Sequence, residues 1–438
     1  MLSHEDNQRY MNVEPGWPLH EMGKCYWVPY LRTENLEPNG APHKMELFGE
    51  KYVSFRASDG RIGFFDEQCP HRGASLHLAR NGDNALTCIF HGWKFDVAGK
   101  CVDVPTEPNP EFCKHVKLKS YPVREAGGVC WVYLGPGVPP VFPDYDFFHA
   151  PATHRRARVG YTESNWTQNL ETLLDSAHIG ILHSNLSKGT EGPASAVAIK
   201  GVTAPELKVL PTPYGFQAFS QRRRPDDSRY LRVTEYVAPF TVLNGATRDS
   251  EEGRLLMIIP INNRKAAFWR LEWDFAHDQA WWREKYAKQG LLSMYMTDPD
   301  DFISPLLDRQ DSRLGQQRNA MNLNNWSGFH HLIAEDLAVA ESVPVIDRTR
   351  ENLGASDLVI VRTRRLLLDG LKAFSDGARP YGLGPQGDGT GIPYRDLRGT
   401  AEVIPAEVDA IAFHNETLRL ERIEARAGRE RPPVTATA

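Results

Sequence analysis

Two cysteines and two histidines in the first quarter of the chain have types and spacing that can do chemistry. They are Cys69-Pro70-His71 and, after sixteen intervening residues, Cys88-Ile89-Phe90-His91. Two thiolates and two imidazoles from separate loops suit a tetrahedral zinc. They also suit a [2Fe-2S] cluster, with both thiolates on one iron and both imidazoles on the other. Pro70, Gly73, Gly92 and Trp93 favour the cluster, because tight loops and apolar cover bring backbone N–H groups towards sulfide. The remaining cysteines, Cys25, Cys101, Cys113 and Cys130, lack such neighbours and read as small buried hydrophobes.

A second group lies in Asn165–His183. Read as one helix, this segment sets Glu171, Asp175 and His178 on one face at spacings of four and three. His183 stands five residues beyond His178, well round that helix. Both imidazoles reach one metal only if the turn near Gly180 loosens or the metal sits over a bend. Taken alone, the segment is either a metal site or a pair of satisfied structural histidines.

The elements that must position these groups follow from composition and periodicity. The chain has 438 residues, 41% hydrophobic and 24% charged, which is an ordinary globular mixture. At ~150 residues per domain this makes about three units. Its 51 basic and 56 acidic residues give a net charge of -5, so no basic field recruits nucleic acid or an anionic bilayer. Six cysteines are too sparse for a disulfide framework. The N-terminus has no signal-peptide pattern, and apolar runs such as Leu255–Ile261 fall short of the ~20 residues that span a bilayer. A soluble, cytoplasmic protein is expected.

The pattern predicts an α+β protein. Residues 1–40 form an N-terminal segment, opening on a short helix, that packs on the larger second domain. Residues 41–150 form an all-β domain of short Val-, Phe- and Tyr-rich runs between turns such as Asp59-Gly60 and Gly82-Asp83. It ends in a Pro-rich linker at 136–145. Residues 151–420 form a larger α+β domain with an antiparallel sheet. Its strands are YGFQAFSQ, RYLRVTEYVAPFTVL, RLLMIIPI and AAFWRLEWDF, and its further helices lie at 279–297, 333–342 and 356–376. Residues 421–438 are expected to fray.

CPHRGASL followed by CIFHGWKFD closely resembles the Rieske motif of aromatic-ring-hydroxylating oxygenases. D-x-x-H-x-x-x-x-H resembles the mononuclear iron motif of the same family. The likeness runs from PGWPLHEMGKCYWVPYL to about residue 375 and points to the phthalate dioxygenase-like branch, as an oxygenase alpha subunit. It implies a Rieske cluster on Cys69, His71, Cys88 and His91, which relays an electron and does no substrate chemistry. It further implies Fe(II) on His178, His183 and a downstream carboxylate, a facial triad that leaves three positions open. In HLIAEDLAVAESVPVIDRTRENLGASD the matching position is Asp336. Glu335 lies about 100° round the helix from it, and Glu341 or Asp347 can also be argued. By the same resemblance Asp175 is a bridge, accepting from His178 and from a neighbouring subunit's cluster histidine that matches His91. An ion-pair role is its alternative, and the role of Glu171 is open.

The branch acts on aromatic acids or methoxylated aromatics. A carboxylated ring calls for a guanidinium fork, for which Arg222, Arg223, Arg224 and Arg232 are the candidates, Arg232 and Arg223 foremost. Arg232 shares a strand face with Tyr230, Thr234 and Tyr236. Arg222–Arg224, beside Asp226 and Asp227, also read as a solvated hairpin tip. His330 and His331 read as loop or pocket-wall residues.

The implied enzyme is a terminal oxygenase that uses O2 to cis-dihydroxylate a small aromatic acid such as a phthalate or benzoate. Its electrons come from a separate NAD(P)H-dependent flavin/iron-sulfur reductase, because the chain has no G-x-G-x-x-G unit. O-demethylation of a methoxylated aromatic acid shares every ligand and is the alternative. An electron carrier or redox sensor without oxygenase chemistry, and a zinc-stabilised binding module, rank lower. The family's layout separates the two metal sites within one chain, so a homotrimer or two stacked trimers is expected. No nucleic-acid or membrane partner is expected.

Overall fold

The computed structural model describes residues 2–183, 204–246, 251–288, 292, 296–322 and 325–430. The N-terminal unit is all β. A three-stranded antiparallel sheet orders Trp27–Arg32, Val129–Tyr133 and Val123–Ala126, and a second joins His43–Leu47, Glu50–Arg56 and Ile62–Asp66. Trp27–Arg32 therefore belongs to the β unit, which begins before residue 41. A small four-stranded sheet follows, Arg80–Gly82, Ala85–Thr87, Lys94–Asp96 and Cys101–Asp103. At its first turn Asp83 and Asn84 both adopt positive φ, the geometry that a two-residue hairpin of matching twist requires. Val53, Phe55, Phe65, Leu86 and Phe95 form a separate core here, and Cys69 and Cys88 belong to it.

The stretch 136–145 links the two units but is packed: Trp27 Nε1 donates to Pro140 O at 2.9 Å and Val141 N–H donates to Asp388 O at 2.7 Å. The larger unit is built on a sheet of nine strands among the described residues, antiparallel except where Gly245–Ala246 meets Gly399–Ile404. Its order is Arg155–Thr162, Lys265–Asp274, Glu252–Asn262, Thr241–Leu243, Arg229–Val237, Gly215–Arg223 and Glu206–Thr212, with Gly399–Ile404 also on Arg229–Val237. Glu252–Asn262 is a near-continuous apolar run because it is covered on both faces.

Helix Trp166–Leu174 packs on that sheet and against helices Leu332–Ser342 and Leu358–Ser375. Asn165 caps it, accepting from Thr167 N–H at 3.2 Å, and Trp166, Leu170 and Leu174 bury one stripe of it. The expected helix over 279–297 is seen as Gln279–Lys288; residues 289–291 and 293–295 lie outside the described residues. The expected fraying from residue 421 is overturned as far as Glu430, since Arg419–Glu430 is a helix. It is held by Arg426 on Asp396 at 2.6 Å and Arg429 on Glu251 at 2.6 Å, so its charges dock it; residues 431–438 lie outside the described residues. No helix among the described residues is long and apolar enough to cross a membrane.

Candidate metal centres and active site

The two cysteine–histidine loops are geometric copies of each other. Cys69 N–H donates to Ala74 O and Gly73 N–H returns to Cys69 O, at 2.8 and 2.9 Å. Cys88 N–H donates to Trp93 O and Gly92 N–H returns to Cys88 O, at 2.9 and 3.0 Å. Gly73 and Gly92 both adopt φ +75°, which a residue with a Cβ enters only under strain. The loops pair like with like. The Cys69 thiol lies in hydrogen-bonding reach of Cys88, and the His71 and His91 rings stand 4.4 Å apart. Trp93 stacks on His71 at 4.4 Å.

Burial pushes the Cys69 thiol up, to about 11, against the backbone N–H groups of His71 and Arg72 that point at its sulfur. His91 Nδ1 is buried without a hydrogen-bond partner among the described residues. Thiol thus stands beside thiol and imidazole beside imidazole, the division of ligands that a two-iron cluster asks for. The paired loops therefore fit a two-iron cluster, with backbone N–H donors towards the Cys69 sulfur.

In the second group the expected single helix over 165–183 is overturned. The helix stops at Leu174, Asp175 is extended at φ -76° and ψ 117°, and a short helix Ile179–Leu182 begins after His178. The Asp175 side chain causes the break, since its Oδ1 accepts from Ala177 N–H at 2.7 Å and offers the backbone a turn in place of another helical bond. The bend lies at 175–178 and not at Gly180, and it brings the His178 and His183 rings to 5.1 Å.

His178 Nδ1 donates to Asp175 Oδ2 at 3.1 Å and His183 Nδ1 donates to Glu335 Oε2 at 2.6 Å. Both Nε2 atoms then carry lone pairs, and they face Asp336 Oδ1 at 3.5 and 3.1 Å. Three acceptors meet there with no hydrogen to share, which is the environment a cation satisfies. Without iron, a proton answers instead. Burial opposes charge on His183, but Asp336 and Glu335 override it and hold its pKa up at about 9.

The other carboxylates considered lie elsewhere. Glu341 takes Arg309 at 2.8 Å, and Asp347 caps Arg348–Arg350. Glu171 leaves the metal face and receives a bidentate Arg364 at 2.8 Å, with Arg348 at 3.4 Å. His330 bonds Gln317 at 2.8 Å, and His331 stands at the N-terminal boundary of helix Leu332–Ser342 without a side-chain capping bond.

A cavity of 180 Å³ opens beside His178, His183 and Asp336, walled by Leu256, Phe268 and Leu332 and reached by Arg232, Arg254 and Arg270. Arg232, directly across the strands from Ser220, has no carboxylate at ion-pair distance among the described residues. Arg223, expected among the substrate groups, is instead exposed at the hairpin tip, bound to Asp227, and does not line the cavity, because strand alternation turns it to the face opposite Arg222. Arg224 pairs with Asp226 at 3.3 Å on the same tip, whereas Arg222 is buried. Sequence reasoning missed Glu335 as the partner of His183, for which its adjacency to Asp336 was the available signal. It also missed Arg254, at the head of an apolar strand. Cys101 and Cys113, read as small buried hydrophobes, place their thiols 2.9 Å apart.

Comparison with known proteins finds relatives along most of the chain. The family described as LigXa C-terminal domain like matches residues 132–429, and the Rieske [2Fe-2S] domain family matches residues 26–122. The phthalate 4,5-dioxygenase oxygenase subunit of Pseudomonas putida is 36% identical over 407 residues, covering 88% of this chain and 89% of that protein. The 5,5'-dehydrodivanillate O-demethylase oxygenase subunit of Sphingobium sp. is 28% identical over 392 residues, covering 87% and 84%. Dicamba monooxygenase bound to dicamba shares the fold, with TM-score 0.57 at 17% identity over 81% of this chain and 99% of its own. The two matched domains and a likeness over most of both chains lead to one conclusion: the chain belongs to the Rieske non-haem iron aromatic-ring-hydroxylating oxygenases, in their phthalate dioxygenase-like branch.

Proposed function

We propose that this oxygenase cis-dihydroxylates an aromatic acid of the phthalate or benzoate class. The observation that carries the reading is a cavity with an iron-type triad on one wall and, on another, the guanidinium of Arg232, which has no carboxylate partner among the described residues. Cys69, His71, Cys88 and His91 would hold the cluster; His178, His183 and Asp336 would hold the iron. When bound, the cluster supplies single electrons and the iron activates O2 next to the ring.

The protein's own groups do the rest. Asp175 and Glu335 fix the tautomers of His178 and His183, so both rings present Nε2 to the metal. Arg232 takes the substrate carboxylate, helped by Arg254, whose Nη2 is 3.2 Å from Glu252. Leu256, Phe268 and Leu332 grip the ring and exclude water. The electrons are supplied by a separate NAD(P)H-dependent flavin/iron-sulfur reductase, and the enzyme works in the cytoplasm as a homotrimer or as stacked trimers.

Incubation with a surrogate reductase, NADH and O2 against phthalates, benzoates and methoxybenzoates tests this reading. A cis-diol from a carboxylated ring is expected. Formaldehyde from a methoxybenzoate, with no diol from any acid, would make the enzyme an O-demethylase. Turnover of neither, by material carrying both iron centres, sinks the aromatic-acid reading.

A further inference from the structure

The break between Leu174 and Ile179 leaves backbone groups without helical partners. Ala177 N–H is taken by Asp175. The Ser176 carbonyl points the other way, into the sheet, where Arg222 Nη2 donates to it. Arg222 Nη1 also donates to Ser176 Oγ and to Ser220 Oγ, each at 3.2 Å, and the two serine hydroxyls meet at 2.7 Å. Ser220 and Arg222 alternate on one face of strand Gly215–Arg223, so this strand grips the turn with two consecutive residues of that face.

Arg222 is only 1% exposed. Keeping a guanidinium there carries a desolvation penalty that needs good hydrogen bonds to offset it. Burial and the neighbouring Arg232 push its pKa down, to about 10, and the Asp175 carboxylate works in the opposite direction, so the group stays charged at neutral pH. Arg222 does not line the 180 Å³ cavity. Its geometry differs from that of Arg232, which does.

We propose that Arg222 is a positioning residue for the iron site: by clamping the Ser176 carbonyl it holds the Asp175–His178 turn, so that Asp175 keeps the Nδ1 proton of His178 and the ring meets the metal in one orientation. The proposal deepens the oxygenase reading and rests on it. It removes Arg222 from the substrate-binding candidates and gives it a task on the far side of the turn. An arginine suits that task because one planar fork reaches both the carbonyl and the hydroxyl of the same residue.

The test compares Arg222→Gln, Arg222→Lys and Ser220→Ala with the parent holoenzyme. Amide hydrogen exchange over residues 174–183, loss of the mononuclear iron to a chelator, kcat and KM are measured together. Arg222→Gln is expected to raise exchange and iron loss and to lower kcat, each about tenfold or more, with KM within about twofold of the parent. Arg222→Lys should recover part of each change, and Ser220→Ala should show smaller changes in the same directions. Unchanged exchange and iron retention in Arg222→Gln overturn the proposal, as does a raised KM with intact kcat, which would make Arg222 a substrate group. If Arg222→Gln does not fold, Ser220→Ala decides by the same two readouts. A parent that oxidises no aromatic acid sinks the oxygenase reading instead, and the exchange comparison still judges the clamp.

Discussion

His183 Nδ1 donates to Glu335 at 2.6 Å while its Nε2 faces Asp336, the next residue of the same helix, at 3.1 Å. Consecutive helical residues diverge by about 100°, so the imidazole lies edge-on between two carboxylates with different tasks. Asp175 serves His178 as Glu335 serves His183. Glu335 also accepts from Ser327 Oγ at 2.5 Å and is almost fully buried, so its oxygens are held in place.

Glu335→Gln should therefore weaken iron binding without touching the cluster. An amide presents either an oxygen or an NH2 group to Nδ1–H and lacks the charge that strengthens the ring as a donor to metal. Partners of this kind are worth about 10–100-fold in affinity. Iron titration of the apoprotein, with the visible absorbance of the cluster as internal control, measures the loss; an unchanged dissociation constant would contradict the assignment.

Iron binding should release a proton at neutral pH. The pKa of His183 is raised to about 9 in the absence of metal, so the ring is charged below that value and must become neutral to bind iron. Affinity should accordingly climb as pH rises towards about 9 and flatten above it. Calorimetry at pH 7.5 in buffers of different ionisation enthalpy counts the proton; heats independent of buffer would count against it.

Arg232→Gln should act on substrate binding. Arg232 lines the cavity without a carboxylate partner among the described residues, so its removal leaves no protein charge unpaired there. Hydrogen bonds to charged groups contribute about 1.5–3 kcal/mol, which predicts a KM for the aromatic acid raised roughly 10–100-fold with kcat little altered. Steady-state kinetics with the acid and its neutral amide separate this from general damage, because only the acid should discriminate between variant and parent.

Much of the site was legible because spacing carried it. Cys69–His71 and Cys88–His91 are local loops, and Leu332–Ser342 shows its apolar stripe in the sequence. The bend at Asp175 was misplaced because helical spacing alone does not weigh an aspartate side chain competing for a backbone N–H. Glu335 stayed hidden because its partner is 152 residues away. Arg222 and Arg223 are neighbours in sequence, and only the alternation of a strand against a packed turn sends one inside and leaves the other in water. Helix Arg419–Glu430 escaped because a highly charged segment reads as solvated until Asp396 and Glu251 are seen beside it.

The two loop glycines should differ on substitution. Both have φ +75°, so each alanine meets backbone strain of about 1–2 kcal/mol. At Gly73 a Cβ meets nothing within 4 Å, whereas at Gly92 it comes 2.7 Å from Pro105 Cγ, part of a rigid ring. Gly73→Ala should keep its cluster, and Gly92→Ala should lose it in part or entirely. Acid-labile sulfide per chain reports the difference; equal losses would mean that the Pro105 contact is irrelevant.

Glu171 should show its role in acid. It lies half-buried against the buried Arg364 and Arg348, and Arg364 also reaches Glu351, so two carboxylates and two guanidinium groups pin helix Trp166–Leu174 to helix Leu358–Ser375. Burial works against its charge, but Arg348 and Arg364 prevail and hold the carboxyl below the usual carboxylate range. With the folded pKa below the unfolded one, the unfolded chain takes up the proton first. The stabilisation is therefore complete above the ordinary glutamate pKa of about 4.3 and disappears as pH falls through the depressed folded value. Glu171→Gln leaves two buried arginines with one carboxylate and should lower stability by about 3–5 kcal/mol at pH 7. Denaturant melts of parent and variant from pH 7 to pH 3 should converge as the parent's carboxylate is protonated. A gap that stays constant over that range would show that the loss at Glu171 is one of shape and not of charge.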